Sequence, residues 1–185
     1  GIAEGSLSGA FCYRTNADLY VEGSEDYKVV LTGAATGNGQ VDSRVTVSST
    51  ENQVTTTITD NDTVAVSLSA DAVTIKEDMD PTAMLVTFTI ALDNFVNEDG
   101  VVTVDYAAEP YGSQPASAGS DYGNPSGSGT VTFNGVGYPL PASPPTATFT
   151  VQVNNDQLIE TAEQFRVYLT PGTNAAPGAT TEVIV

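Results

Sequence analysis

"MLVTFTIAL", residues 84–92, decides the fold: Val86, Phe88 and Ile90 alternate with Thr87 and Thr89. A period of two puts the apolar side chains on one face and the threonines on the other, the pattern of a half-buried β-strand. The same alternation recurs in "VVTVDYAA" (Val102, Val104, Tyr106), "GTVTF" (Val131, Phe133), "ATFTVQV" (Phe149, Val151, Val153) and "QFRVYL" (Phe165, Val167, Leu169). Between these runs lie clusters of Gly, Pro, Ser and Asn, such as "GSQPASAGSDYGNPSGSG" (112–129) and "GVGYPLPASPP" (135–145), which read as turns and longer loops. No stretch carries a convincing 3.6-residue period, so the pattern predicts an all-β sandwich.

Composition narrows the function. The 185 residues are 40% hydrophobic and 15% charged, enough apolar material for a core and too little charge for charge-driven disorder. The charges are lopsided: 23 acidic residues stand against Arg14, Lys28, Arg44, Lys76 and Arg166, a net charge of -18. Such a surface repels nucleic-acid phosphates and anionic lipid and attracts cations. With no His and the single Cys12, zinc sites, His-based catalysis and CxxC redox pairs lack their residues. Cys12 reads as a small buried apolar residue. No apolar run reaches membrane-spanning length, and the start lacks the basic-then-apolar order of a signal peptide. The first residue is Gly, which suggests a processed product or an excerpt of a longer chain.

The carboxylates are grouped. "VNNDQLIETAEQF" (153–165) carries Asp156, Glu160 and Glu163 just before a strand, and "TNADLYVEGSEDY" (15–27) carries Asp18, Glu22 and Glu25 in the same spacing. Positions 18 and 156, 22 and 160, 25 and 163, 27 and 165, and 31 and 169 are all 138 apart, so the chain holds two copies of one unit. Residues 1–62 contain the closing half of a unit, ending in "NQVTTTITDND", and residues 63–185 contain a unit lacking its last strand. Either the chain cuts through a tandem array, or complementary pieces on neighbouring chains complete each other by strand exchange, satisfying an open edge.

These residues resemble the Calx-beta domain family. "SAGSDYGNPSGSGTVTF" (117–133) is similar to the family's A-G-S-D-Y followed by G-T-V-x-F, and "ETAEQFRVYL" (160–169) to its E-x-x-E-x-F-x-V-x-L. "TITDND" (57–62) resembles the closing acidic triplet, and "AVTIKED" (72–78) the opening strand. The resemblance implies an immunoglobulin-like antiparallel β-sandwich in incomplete tandem copies, located outside the cell or on its surface. It also implies calcium at one sandwich end. The matching ligand positions are Glu77, Asp121, Asp156, Glu160 and Glu163, with Leu158 offering a carbonyl. In the first copy they are Asp18, Glu22 and Glu25, with Asp60 and Asp62 in the closing triplet.

Calcium takes six to eight oxygen ligands in irregular geometry, so crowded loop carboxylates suit it. Asn155 and Ala17 stand where calcium-binding members carry a carboxylate, which predicts weak binding, about 10⁻⁴ to 10⁻³ M, or none. Other roles for the same residues remain open: Asp121 as a turn residue capping backbone N–H groups, Asp78 and Asp80 as turn residues before Pro81, and the acidic loops as solvated surface. A glycosidase pair from Glu160 and Glu163 is disfavoured, because the two stand three apart and the chain has no Trp to form a sugar platform. The expected function is a non-catalytic structural or adhesive repeat module, with calcium as a cofactor and neighbouring copies or adjacent repeats as partners. Regulatory calcium binding, or a fibre subunit without an ion, are the alternatives.

Overall fold

In the computed structural model, residues 9–33, 46–76, 84–123, 128–137, 139–155 and 161–185 are described. They contain eleven strands: β1 (Glu25–Val30), β2 (Gln53–Ile58), β3 (Val64–Ala70), β4 (Leu85–Leu92), β5 (Val101–Pro110), β6 (Tyr122–Gly123), β7 (Ser128–Asn134), β8 (Thr146–Val153), β9 (Phe165–Pro171), β10 (Ala175–Pro177) and β11 (Glu182–Ile184). Every run expected from alternation forms a strand. No helix of the described residues is long and apolar enough to cross a membrane.

The strands form a five-stranded sheet in the order β10-β3-β4-β8-β6, a four-stranded sheet β11-β9-β5-β7, and a separate pair β1-β2. The larger sheets pack face to face. Val66, Leu68, Val86, Phe88, Ile90 and Val151 come from one sheet and Val102, Val104, Phe133, Phe165, Val167 and Leu169 from the other, all buried in one core. Each such side chain contributes about 1.5–3 kcal/mol by leaving water. Aromatic rings bridge the layers: Tyr106 stacks on Phe149 at 3.9 Å between centroids, and Tyr122 on Phe165 at 4.5 Å. One pairing departs from the expected all-antiparallel arrangement, since β10 runs parallel to β3.

On the outer face of β9, Arg166 is held between two carboxylates. Its Nε donates to Glu109 Oε1 at 2.8 Å, its Nη2 contacts the same oxygen, and its Nη1 donates to Glu182 Oε2 at 3.1 Å. The rings of Tyr111 and Tyr168 flank the guanidinium at 5.4 and 5.2 Å. Glu109 lies on β5 and Glu182 on β11, so this cation ties three strands together, with the planar fork of Arg suited to the task.

The stretches related by the 138-residue offset, β1 and β9, each pair antiparallel with a later strand. β2 lies antiparallel on β1 with Tyr27 opposite Thr56 and Val29 opposite Val54. β11 lies antiparallel on β9 with Val167 opposite Val183, and Phe165 and Val185 exchange backbone hydrogen bonds. The partner strands do not correspond by that same offset, since β2 lies 28 residues after the start of β1 and β11 only 17 after the start of β9.

Candidate functional site

The first copy's acidic stretch docks onto the turn between β4 and β5. Val21 is fully buried and pairs with Val96 in a parallel bridge, its carbonyl accepting the Asn97 N–H at 2.8 Å. The Gly23 N–H donates to the Glu98 carbonyl at 3.1 Å, and Asn94 Nδ2 donates to the Leu19 carbonyl at 3.0 Å. Tyr20 meets Phe95 edge to face. Glycine is needed at two points of close approach. A Cβ on Gly23 would lie 2.7 Å from the Asp99 Cβ, and one on Gly100 would lie 2.5 Å from the Val21 carbonyl oxygen. Asp99 itself takes the left-handed backbone conformation that closes the turn, φ 55°.

Four of the expected ligands are gathered at this joint. Asp60 braces the acidic stretch from behind with both oxygens: Oδ2 accepts the Glu22 N–H at 3.0 Å and Oδ1 the Asp62 N–H at 3.2 Å. Asp18 Oδ1 accepts the Tyr20 N–H at 3.0 Å. Glu22 Oε1 accepts a 2.7 Å hydrogen bond from Asn97 Nδ2, and Asn97 is buried. Partial desolvation, then the negative charge and hydrogen bonding of Asp60 and the charge of Asp18, hold the Asp62 carboxyl above its ordinary range. A carboxyl raised in the folded state costs stability while ionised, and protonation or a nearby cation relieves that cost. Glu25 lies apart from this group, exposed on β1 opposite Ile58.

The second copy's ligands are only partly described. Glu77, Asp156, Leu158 and Glu160 lie outside the described residues. Asp121 is buried, and its Oδ2 accepts the Ser117 N–H while its own N–H donates to the Ser117 carbonyl. It therefore performs the turn-capping role that Asp favours. Glu163 is half-buried two residues before Phe165, whose ring stacks on Tyr122 beside Asp121, so both carboxylates sit at the same end of the sandwich. That end is the far end of β5 from the β4–β5 turn. Ten strand residues separate the two acidic groups by roughly 30 Å.

Among the described residues, no group of three or more His, Cys, Asp or Glu is arranged to hold a metal ion. The joint therefore offers a partial donor set. Asp60 and Glu22 are already engaged by N–H donors, although each carboxylate oxygen keeps a further lone pair for coordination.

The joint residues Val21, Asn97 and Gly100 were not singled out by sequence reasoning. The available signal was Gly23, which stands where the second copy has Thr161. Cys12 corrects an expectation, being exposed rather than buried. It lies between Phe11 and Tyr13, which are themselves exposed.

Tyr122 is buried, and its hydroxyl has no hydrogen-bond partner among the described residues. Burial first, then Glu109 and Asp121, push its ionisation upward. Tyr122→Phe keeps the ring stack and removes an unsatisfied polar atom. The expected result is a gain of about 1 kcal/mol in chemical denaturation, and a loss of similar size would show that the hydroxyl is bonded.

No family model and no curated protein matches the sequence. Among solved structures, the chain is similar to the crystal structure of the apo-form Calx CBD1 domain, at 18% identity and a TM-score of 0.45, over 65% of this chain and 94% of that one.

Proposed function

We propose that the protein is a non-catalytic structural or adhesive repeat module of the extracellular space, in which the acidic stretch of one unit fixes the geometry of the next and calcium stiffens the joint. The observation that carries this reading is the docking of Val21 and Glu22 on Val96 and Asn97, with Asp60 bridging back to Glu22. A joint made of a buried valine, backbone hydrogen bonds and a buried amide resists bending, which is what a chain of sandwiches under tension requires. The surplus of 18 negative charges favours cation uptake at such a cluster. Drawn closer by the ion, Asp18, Glu22, Asp60 and Asp62 would supply oxygen ligands, and the bound charge would relieve the Asp62 carboxyl, which Asp60 and Asp18 oppose.

Thermal unfolding of the full chain tests this. For an affinity of about 10⁻⁴ to 10⁻³ M, 10 mM calcium should stabilise the fold by about 1.4–2.7 kcal/mol, raising Tm by roughly 3–10 °C. Chelator should reverse the shift, and Glu22→Gln with Asp60→Asn should abolish it. An unchanged Tm would leave a purely structural module whose joint is held by packing alone.

A further inference from the structure

The connection from β2 to β3, residues 59–63, carries the one N-x-S/T triplet in the sequence that N-glycosylation can use, Asn61-Asp62-Thr63. Asn124 also has Ser126 two residues on, but Pro125 between them excludes it. Neither the sandwich nor the joint engages Asn61 and Thr63. Their side chains make no hydrogen bond among the described residues, although both neighbouring aspartates take part in the acidic group.

Exposure alternates along this connection. Asp60 and Asp62 are half-buried and Val64 is buried, whereas Thr59, Asn61 and Thr63 are exposed. Asp60 holds the chain around Asn61 in one conformation: its Oδ1 accepts the Asp62 N–H at 3.2 Å while its Oδ2 accepts the Glu22 N–H at 3.0 Å. The amide of Asn61 and the hydroxyl of Thr63 are therefore offered together on the outside. That is what the triplet needs, since the hydroxyl two residues on takes part in recognition of the reacting amide.

We propose that Asn61 is an N-glycosylation site, taking an oligosaccharide from a lipid pyrophosphate carrier. Asn61 Nδ2 forms a bond to the anomeric carbon of the first sugar as that carbon's bond to the carrier's phosphate oxygen breaks. The pyrophosphate leaves with the electron pair, and the amide gives up one proton. The sugar stands on the exposed side of the connection, so Asp60 keeps its bonds to Glu22 and Asp62. A bulky polar chain at this point solvates and shields the segment that joins the two copies. The proposal rests on the extracellular reading, because such sugar donors are met on the secretory route, and it is independent of calcium.

The test secretes the full chain from a eukaryotic cell behind a cleavable signal peptide and collects it from the medium. Enzymatic removal of N-glycans in heavy-oxygen water turns a glycosylated Asn into a labelled Asp, which peptide mass spectrometry locates. The expected result is label at position 61 and nowhere else, reduced at least tenfold in Asn61→Gln and in Thr63→Ala, and restored in Thr63→Ser. Both positions are exposed, so the variants should fold. The Gly23 and Asn97 amides should exchange as slowly with the sugar as in the Asn61→Gln chain. A secreted chain without label at 61, label that survives Thr63→Ala, or exchange at Gly23 and Asn97 at least tenfold faster with the sugar present would each overturn the proposal. The calcium shift in Tm is read on the Asn61→Gln chain, so its absence would overturn only the calcium reading.

Discussion

Val21→Asp should open the joint between the two copies while leaving the sandwich strands in place. The position is fully buried, so the new carboxylate would sit unpaired against Val96 in a site that excludes water. An unpaired buried charge costs several kcal/mol, more than a few backbone hydrogen bonds can hold against. The amide protons of Gly23 and Asn97, which bond across the joint, should then exchange at least about a hundredfold faster in hydrogen-exchange mass spectrometry. Amides in β4 and β8 should change far less. Val21→Ala should show the same pattern at about 2 kcal/mol, the loss of two buried methyl groups and the cavity they leave. Unchanged exchange at Gly23 in the Asp variant would mean that the acidic stretch is held by its hydrogen bonds and not by Val21.

The contrast between the joint and the sandwich explains what could be read in advance. Burying one face of a strand imposes period two on the residues, so "MLVTFTIAL" states both its conformation and its inward face. Val86, Phe88 and Ile90 are indeed completely buried. The joint obeys no such period. Val21 sits in "LYVEGSED", where its burial depends on a turn more than seventy positions away, and nothing local separates it from its apolar neighbour Leu19, which is exposed. The acidic groups were legible because like charges rarely crowd without reason, but the engagement of Glu22 by Asn97 was not, since an Asn in a turn ordinarily serves its own backbone. Cys12 was misread for a related reason. With no His to activate it, a lone Cys reads as a small buried apolar residue, but Cys12 and its neighbours Phe11 and Tyr13 are all exposed. The parallel β10 escaped notice because three residues are too few to show alternation.

Two adjacent positions in the stretch that set the fold should respond very differently to truncation. Phe88 is fully buried and stacks at 5.2 Å on Phe149, its directly opposite neighbour on β8. Phe149 in turn stacks on Tyr106 of the facing sheet, so Phe88 anchors an aromatic column that crosses the sandwich. Phe88→Ala removes that anchor and leaves a cavity, an expected loss of about 3–5 kcal/mol. That is a large share of the roughly 5–15 kcal/mol that holds a domain folded, and it should lower Tm by about 6–20 °C. Thr89→Ala, one residue on, deletes a side chain on the outer face and should move stability by no more than about 0.5 kcal/mol. Urea denaturation of both variants at matched m-value measures the difference directly. Comparable losses at 88 and 89 would mean that the outer face of β4 is also packed, and the two-layer arrangement would then need a third layer over the threonines.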